Sequence, residues 1–206
     1  MKIGLIACDI LEPEFEHLIG NDPDFVHKEY VEFALHENPE HMRKTLIEKV
    51  NAMKGKVDAV LLGYAVCQSL GGFTEAVEVP TVMLEGDDCI CVLLGAKEYT
   101  AEKKICTGTW FSSPGWAREG MQGLIKEMHL DSVEGVDPMF FAEILFDSYE
   151  RCLYIDTGVK DESGEYLKKS KEFAAQLKLK HDERKCGLEN IEAGIKKVKE
   201  LCRKSK

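Results

Sequence analysis

Short, continuous apolar runs alternate along the chain with longer stretches in which apolar positions recur every three or four residues, a pattern of buried strands and amphipathic helices. The first run, Lys2 to Cys8, predicts a strand. "EPEFEHLIG" after it predicts a helix with acids in its first turn, where the helix dipole favours them. "NPEHMRKTLIEKVNAMKG" is the clearest helix: Asn38 suits the cap, Pro39 the first helical position, and Met42, Leu46, Val50 and Met53 share one face until Gly55. "VDAVLLGYAVC" and "VPTVMLEGDDC" predict the second and third strands, and "ICVLLGAKEYTAEK" a helix. "KICTGTWFSS" predicts a fourth strand and "PGWAREGMQGLIKEMH" a helix with Pro114 near its start. Beyond residue 137, "DPMFFAEILFDSYE" predicts helix, "RCLYIDTG" a fifth strand, "DESGEYLKKSKEFAAQL" helix, "KLKHDER" a short strand and "GLENIEAGIKKVKELC" the last helix.

Strands alternating with helices imply right-handed crossovers. The expected fold is α/β: a three-layer, Rossmann-like open sheet, mainly parallel, with helices on both faces. No internal repeat, low-complexity segment or linker interrupts the pattern, so residues 1–206 are expected to form a single domain.

Charge narrows the partners. The chain carries 37 acidic against 27 basic side chains, a formal charge of −10, which repels nucleic acid and anionic membrane. The lysines of "IKKVKELCRKSK" alternate with Ile195, Val198, Leu201 and Cys202 at helical spacing, as on a solvated helix face. The opening "MKIGLIACDI" reaches an acid too soon for a signal-peptide core or a spanning helix, so a cytoplasmic protein is expected. In that compartment eight cysteines suggest thiolate chemistry or metal rather than a disulfide framework.

Three of these cysteines fall where open parallel sheets place their sites, outside the carboxyl ends of strands. Cys8 closes the first strand, Cys67 the second and Cys89 the third; Cys106 and Cys152 stand at strand beginnings, where a core role is expected. Thiolates bind zinc and iron–sulfur clusters, and a helix N-terminus following a cysteine lowers its pKa. Asp9, Glu12, Glu14, Asp87 and Asp88 are neighbours in sequence that could serve as oxygen ligands or bases. Gly71 and Gly72, after Cys67, leave the backbone open to close approach. Buried free cysteine also packs as a small hydrophobe, which is the rival account of each thiol.

A second candidate is "GTWFSSPGWAREG", where the only two tryptophans bracket a serine-rich turn before a helix. Ser113, Gly115 and Trp116 could bind a flat cofactor or an anion there; alternatively Trp116 caps the core. "SLGGF" lacks the pattern of a dinucleotide site or a P-loop, His17, His36 and His41 form no zincin motif, and Asp156 in "YIDTG" suits an ordinary turn.

The first strand "IAC" followed by Glu12, "LHENPEHMRKTL" with His36 and Pro39, "LLGYAVC", "DDCICVLLG" and "GTWFSSPGW" together resemble a prokaryotic domain-of-unknown-function family of methanogens and anaerobic bacteria. Its members carry LLGYGLC, a His-Asp-Cys-Ile element and a PGW turn, and the likeness covers roughly residues 1–160. Ala65 stands where the family has glycine, and Asp87 where it has histidine. The resemblance implies corrinoid-dependent methyl transfer in anaerobic one-carbon metabolism, with a corrinoid as a candidate cofactor and a corrinoid protein or methyltransferase as a candidate partner.

Residues and resemblance combine into one expectation: Cys8, Cys67 and Cys89 bind zinc or an iron–sulfur cluster, and Ser113 and Trp116 wall the adjoining pocket. Two rivals stay open, a non-catalytic carrier or chaperone that delivers metal, corrinoid or cluster to a methyltransferase, and a structural subunit whose cysteines are only core. The spacing also leaves a homo-oligomer open.

Overall fold

The computed structural model describes residues 1–33, 38–65, 70–132, 135–160 and 163–204. In chain order the elements are β1 (Ile3–Cys8), a 3-10 turn (Asp9–Leu11), α1 (Glu12–Ile19), β2 (Phe25–Val31), α2 (Pro39–Asn51), β3 (Ala59–Ala65), α3 (Phe73–Ala76), β4 (Thr81–Leu84), α4 (Cys89–Leu94), α5 (Ala96–Ile105), β5 (Thr109–Ser112), α6 (Pro114–Glu127), α7 (Pro138–Leu145), β6 (Arg151–Asp156), α8 (Glu165–Gln176), β7 (Lys180–Lys185) and α9 (Glu189–Lys204). They form two compact units, one of Met1–Ala96 with Leu188–Lys206 and one of Lys97–Gly187. Every strand pairing is parallel, with helices around the sheets, so the fold is three-layer α/β. The strands divide between two sheets, β2-β1-β3-β4 and β5-β6-β7, rather than gathering in one. Alternation of strand and helix dictates parallel pairing but leaves open which strands share hydrogen bonds.

In the first unit every residue of β1 and β3 is buried, as continuous apolar strands covered on both faces must be. The pairs Ile3↔Ala59 through Ala7↔Gly63 fix their register. A Cβ on Gly63 would stand 2.4 Å from the Ala7 Cβ and 2.7 Å from the Phe15 ring, so the missing side chain is what lets α1 settle on this face. Leu61 on the same face meets α9 at Gly194, while Met53 behind α2 packs against Gly4 and Val60 on the other. Asn38 caps α2 by accepting from the His41 amide at 3.0 Å, and Met42, Leu46, Val50 and Met53 are buried, as the sequence predicts.

Several elements differ from their sequence expectations, among them the short α3, which the sequence pattern did not predict. β2 gave no strand signal because it is an edge strand whose middle, His27–Lys28–Glu29, is polar and faces solvent in part. The stretch "ICVLLGAKEYTAEK" is two helices broken at Gly95, whose φ of 78° disfavours any other residue. Helix also continues to Ile105, which leaves the fourth predicted strand only Thr109–Ser112.

The second unit is organised around Trp110. Its ring lies edge-on to Trp116 at 5.4 Å and stacks on Phe173 at 5.5 Å, with Phe146 at 5.4 Å. At the start of β6, Arg151 is buried and donates to Glu102 Oε2 at 2.9 Å and to Thr109 Oγ1 at 3.1 Å, while Arg184 of β7 reaches both Glu102 and Glu98.

Candidate functional site

The order β2-β1-β3-β4 carries a reversal: the chain moves outward from β1 to β2, then returns to place β3 on the other side of β1. Ligand crevices of parallel sheets open at such a reversal, outside the carboxyl ends of the two strands that flank it. Cys8 ends β1, and Ala65, two residues before Cys67, ends β3. β4 pairs with β3 on its far side, and the turn after β4 leads to Cys89. Cys67 itself lies outside the described residues, as does His36.

Cys8 is 8% exposed at the point where extended backbone passes into the 3-10 turn. Its thiol donates toward Asp9 Oδ1 at 3.8 Å. Burial, then the neighbouring Cys89 thiol, and then Asp9 raise its pKa well above the usual thiol range, against a backbone hydrogen bond from Ile10 that lowers it. This corrects the expectation that a thiol ahead of a helix ionises easily: burial and nearby negative charge outweigh the short helical turn. Cys89 opens α4 and is partly exposed. Asp88 in front of it is taken up as the helix cap, accepting from the Cys91 amide at 2.7 Å.

Tyr64, the penultimate residue of β3, is a neighbour of this pair that periodicity did not single out, since it reads as one more apolar strand position. Its hydroxyl donates to the Val31 carbonyl at 3.5 Å, and burial, Cys8, Asp9 and Glu29 raise its pKa. Glu14, in the first turn of α1, is wholly buried. The close approach expected at Gly71 and Gly72 is made by Arg43 of α2, whose guanidinium donates to the two carbonyls at 2.9 and 3.2 Å. Among the described residues, no group of three or more His, Cys, Asp or Glu side chains is placed to hold a metal ion.

The remaining cysteines follow the packing account where they are buried. Cys91 and Cys202 sit in the core, and Cys152 lies 3.8 Å from Ser170 Oγ with its thiol pushed up to about 11, chiefly by burial. Cys106 and Cys186 are partly exposed.

Ser113, Gly115 and Trp116 belong to the second unit. Ser113 is buried and caps α6, its Oγ accepting from the Trp116 amide at 3.4 Å, and Gly115 is buried beneath it. The hydroxyl is thus engaged by the helix it begins, and Trp116 packs edge-on against Trp110. Asp156 is a turn residue, accepting from the Gly158 amide at 3.0 Å. Ser170 Oγ lies 3.1 Å from His181 Nε2, a partly buried polar link that no motif announced.

The first unit is therefore a parallel α/β layer with a pair of thiols at the carboxyl edge of its sheet. The chain belongs to the family described as Protein of unknown function (DUF1638), whose match spans residues 30–195. The match starts within β2, so β1 and Cys8 precede it, while Cys67 and Cys89 fall inside. No curated protein and no solved structure matches the chain. Among the described residues no helix is long and apolar enough to cross a membrane.

Proposed function

We propose that the protein binds a soft metal ion or metal-containing cofactor through Cys8, Cys89 and Cys67 at the carboxyl edge of the four-stranded sheet, in the service of methyl transfer in anaerobic one-carbon metabolism in the cytoplasm. The observation that carries this is the nearness of the Cys8 and Cys89 thiols, close enough that Cys89 opposes the ionisation of Cys8. Two such thiols shed their protons together only when a cation joins them, and sulfur donors select zinc, iron–sulfur clusters and other soft centres. A bound metal ion would supply the charge that keeps sulfur anionic at neutral pH, the state in which it exchanges a methyl group. Of the chain's own residues, Cys8 is held rigid by β1 and Cys89 by the capped start of α4. A corrinoid protein or methyltransferase is the partner this role requires, and a corrinoid the cofactor it would meet.

One observation favours the rival in which the cysteines only fill space: Cys8, like its apolar neighbours in β1, is buried. Purification without oxygen, with metal per chain and an absorption spectrum, separates the two. Zinc, cobalt or iron bound in stoichiometric amount to the parent and lost from Cys89→Ser is expected. Equal metal content in both, or none in either after growth with each metal, would leave packing as the role of these thiols.

A further inference from the structure

α7 carries a single charge, Glu143, in the sequence PMFFAEIL. One side of it is accounted for, since Ala142 is buried and Met139 and Phe141 pack on the core of the second unit. The other side is bare: Phe140 is 56%, Ile144 57% and Leu145 46% exposed, joined by Met128 at the end of α6, 45% exposed. Phe140 and Ile144 are one turn apart and share a stripe. Beside the stripe runs a groove of about 310 Å³ lined by Met128, His129, Leu130, Ser132, Phe141, Ile144 and Leu145. A surface helix that is apolar on both faces marks an interface, because water is left against large hydrophobic side chains that packing has not used.

Charge selects the occupant. From Glu127 to Glu150 the chain has no Lys or Arg, while Asp131, Asp137, Glu143 and Asp147 are exposed alongside the apolar residues. Glu143 is paired with Lys178 at 3.4 Å, while the Asp131 and Asp147 carboxylates join no ion pair among the described residues. A second copy would set one acidic rim against another, which disfavours self-association. We infer that this groove docks an amphipathic helix of a partner protein, with apolar residues at i, i+3 or i+4, and i+7, and with lysines or arginines flanking them. The surface lies wholly in the second unit and stands independently of the thiol site.

Fluorescence anisotropy with a synthetic helix bearing leucines on one face and lysines on the other tests this, beside a twin with glutamates for lysines. The lysine helix is expected to bind, more weakly as salt rises, and the glutamate twin not to bind. Phe140→Ser with Ile144→Ser should weaken binding at least ~10-fold, as loss of apolar anchors does, with the denaturation midpoint unchanged because both side chains are exposed. Asp131→Asn with Asp147→Asn should weaken it less and flatten the salt dependence. Binding indifferent to the Phe140/Ile144 change would reduce the effect to general attraction by an acidic protein and overturn the proposal. So would equal binding of the two helices, or a parent dimer in sedimentation that the same double variant turns to monomer.

Discussion

At the scale of single residues, the cysteines divide by what surrounds each sulfur rather than by sequence spacing. Cys67 follows β3, the strand packed on both faces between β1 and β4, and in the proposed site it completes the pair formed by Cys8 and Cys89. Serine keeps the volume of cysteine but is a harder and far less acidic ligand. Cys67→Ser is therefore expected to lower metal content at least ~10-fold while changing stability by less than about 1.5 kcal/mol. Cys152→Ser should leave metal content unchanged and act only on stability, since that thiol touches Ser170 in the core. Metal per chain and a urea midpoint for each variant check both statements. Cys8 gives a second test in the metal-free protein. Its raised pKa, from burial first and then Cys89 and Asp9, means that at about pH 8 it is a thiol and not a thiolate. Iodoacetamide should label it much more slowly than an exposed cysteine, and Asp9→Asn should quicken the labelling by removing one of the charges that oppose ionisation. Labelling of Cys8 as fast as that of a free small thiol, read by mass spectrometry, would refute the burial account.

At the scale of elements, packing is decided where backbones come closest. Gly63→Ala puts a methyl group against the Ala7 Cβ and the rigid Phe15 ring, neither of which can swing away. It is expected to cost about 1–3 kcal/mol, the range for overpacked cores. Gly194→Ala on α9 meets the tips of Leu84, at 2.6 Å, and Leu61, at 3.5 Å, both flexible side-chain ends, and it gains helix propensity of about 1 kcal/mol. It should be near neutral. Urea midpoints of the two variants check the contrast, and an equal loss in both would mean that the sheet yields as easily as a leucine tip. The same closeness explains what was legible beforehand. β1 and β3 announced themselves because burial on both faces leaves an unbroken apolar run, and α2 because its cap and its buried stripe agree. β2 did not, because its polar middle at an edge looks like a loop. The division into two units was invisible too, since the chain passes between them at Ala96, where α5 begins, and again at Gly187, just before α9, with no linker at either place. Of the site, Cys8 could be placed at a strand end, but Cys89 opens α4 rather than closing β4, and the neighbouring Tyr64 and the Arg43 clamp on the Gly71–Gly72 carbonyls depend on tertiary approach that no spacing encodes.

At the scale of the whole molecule, acidity governs how the fold responds to its surroundings. A formal charge of −10 makes the chain repel itself at neutral pH, yet several carboxylates are held by cations and resist protonation. Burial alone would lift the Glu16 carboxyl, but the Lys28 ammonium and the Tyr30 hydroxyl bring it below the usual range. Glu102 behaves likewise: burial raises it, and hydrogen bonds from Arg184 and Arg151 more than offset that, so its pKa is lowered overall. A carboxyl whose pKa is lower folded than unfolded contributes stability above its unfolded value, about 4.3 for glutamate, and loses that contribution as pH falls through the folded value. Glu102 matters most because its partner Arg151 is itself buried, at the start of β6. Removing one partner of a buried pair strands the other, so Glu102→Gln is expected to destabilise the protein by about 3–5 kcal/mol at pH 7. The gap between parent and variant should narrow steadily as pH falls from the unfolded value of about 4.3 through the lowered value of Glu102 in the folded parent. Urea unfolding of both proteins at neutral pH and at two acidic pH values reads the gap directly. A difference under about 1 kcal/mol at pH 7, or one that stays constant into acid, would show that the partly exposed Arg184, and not the buried Arg151, sets the energy of this network.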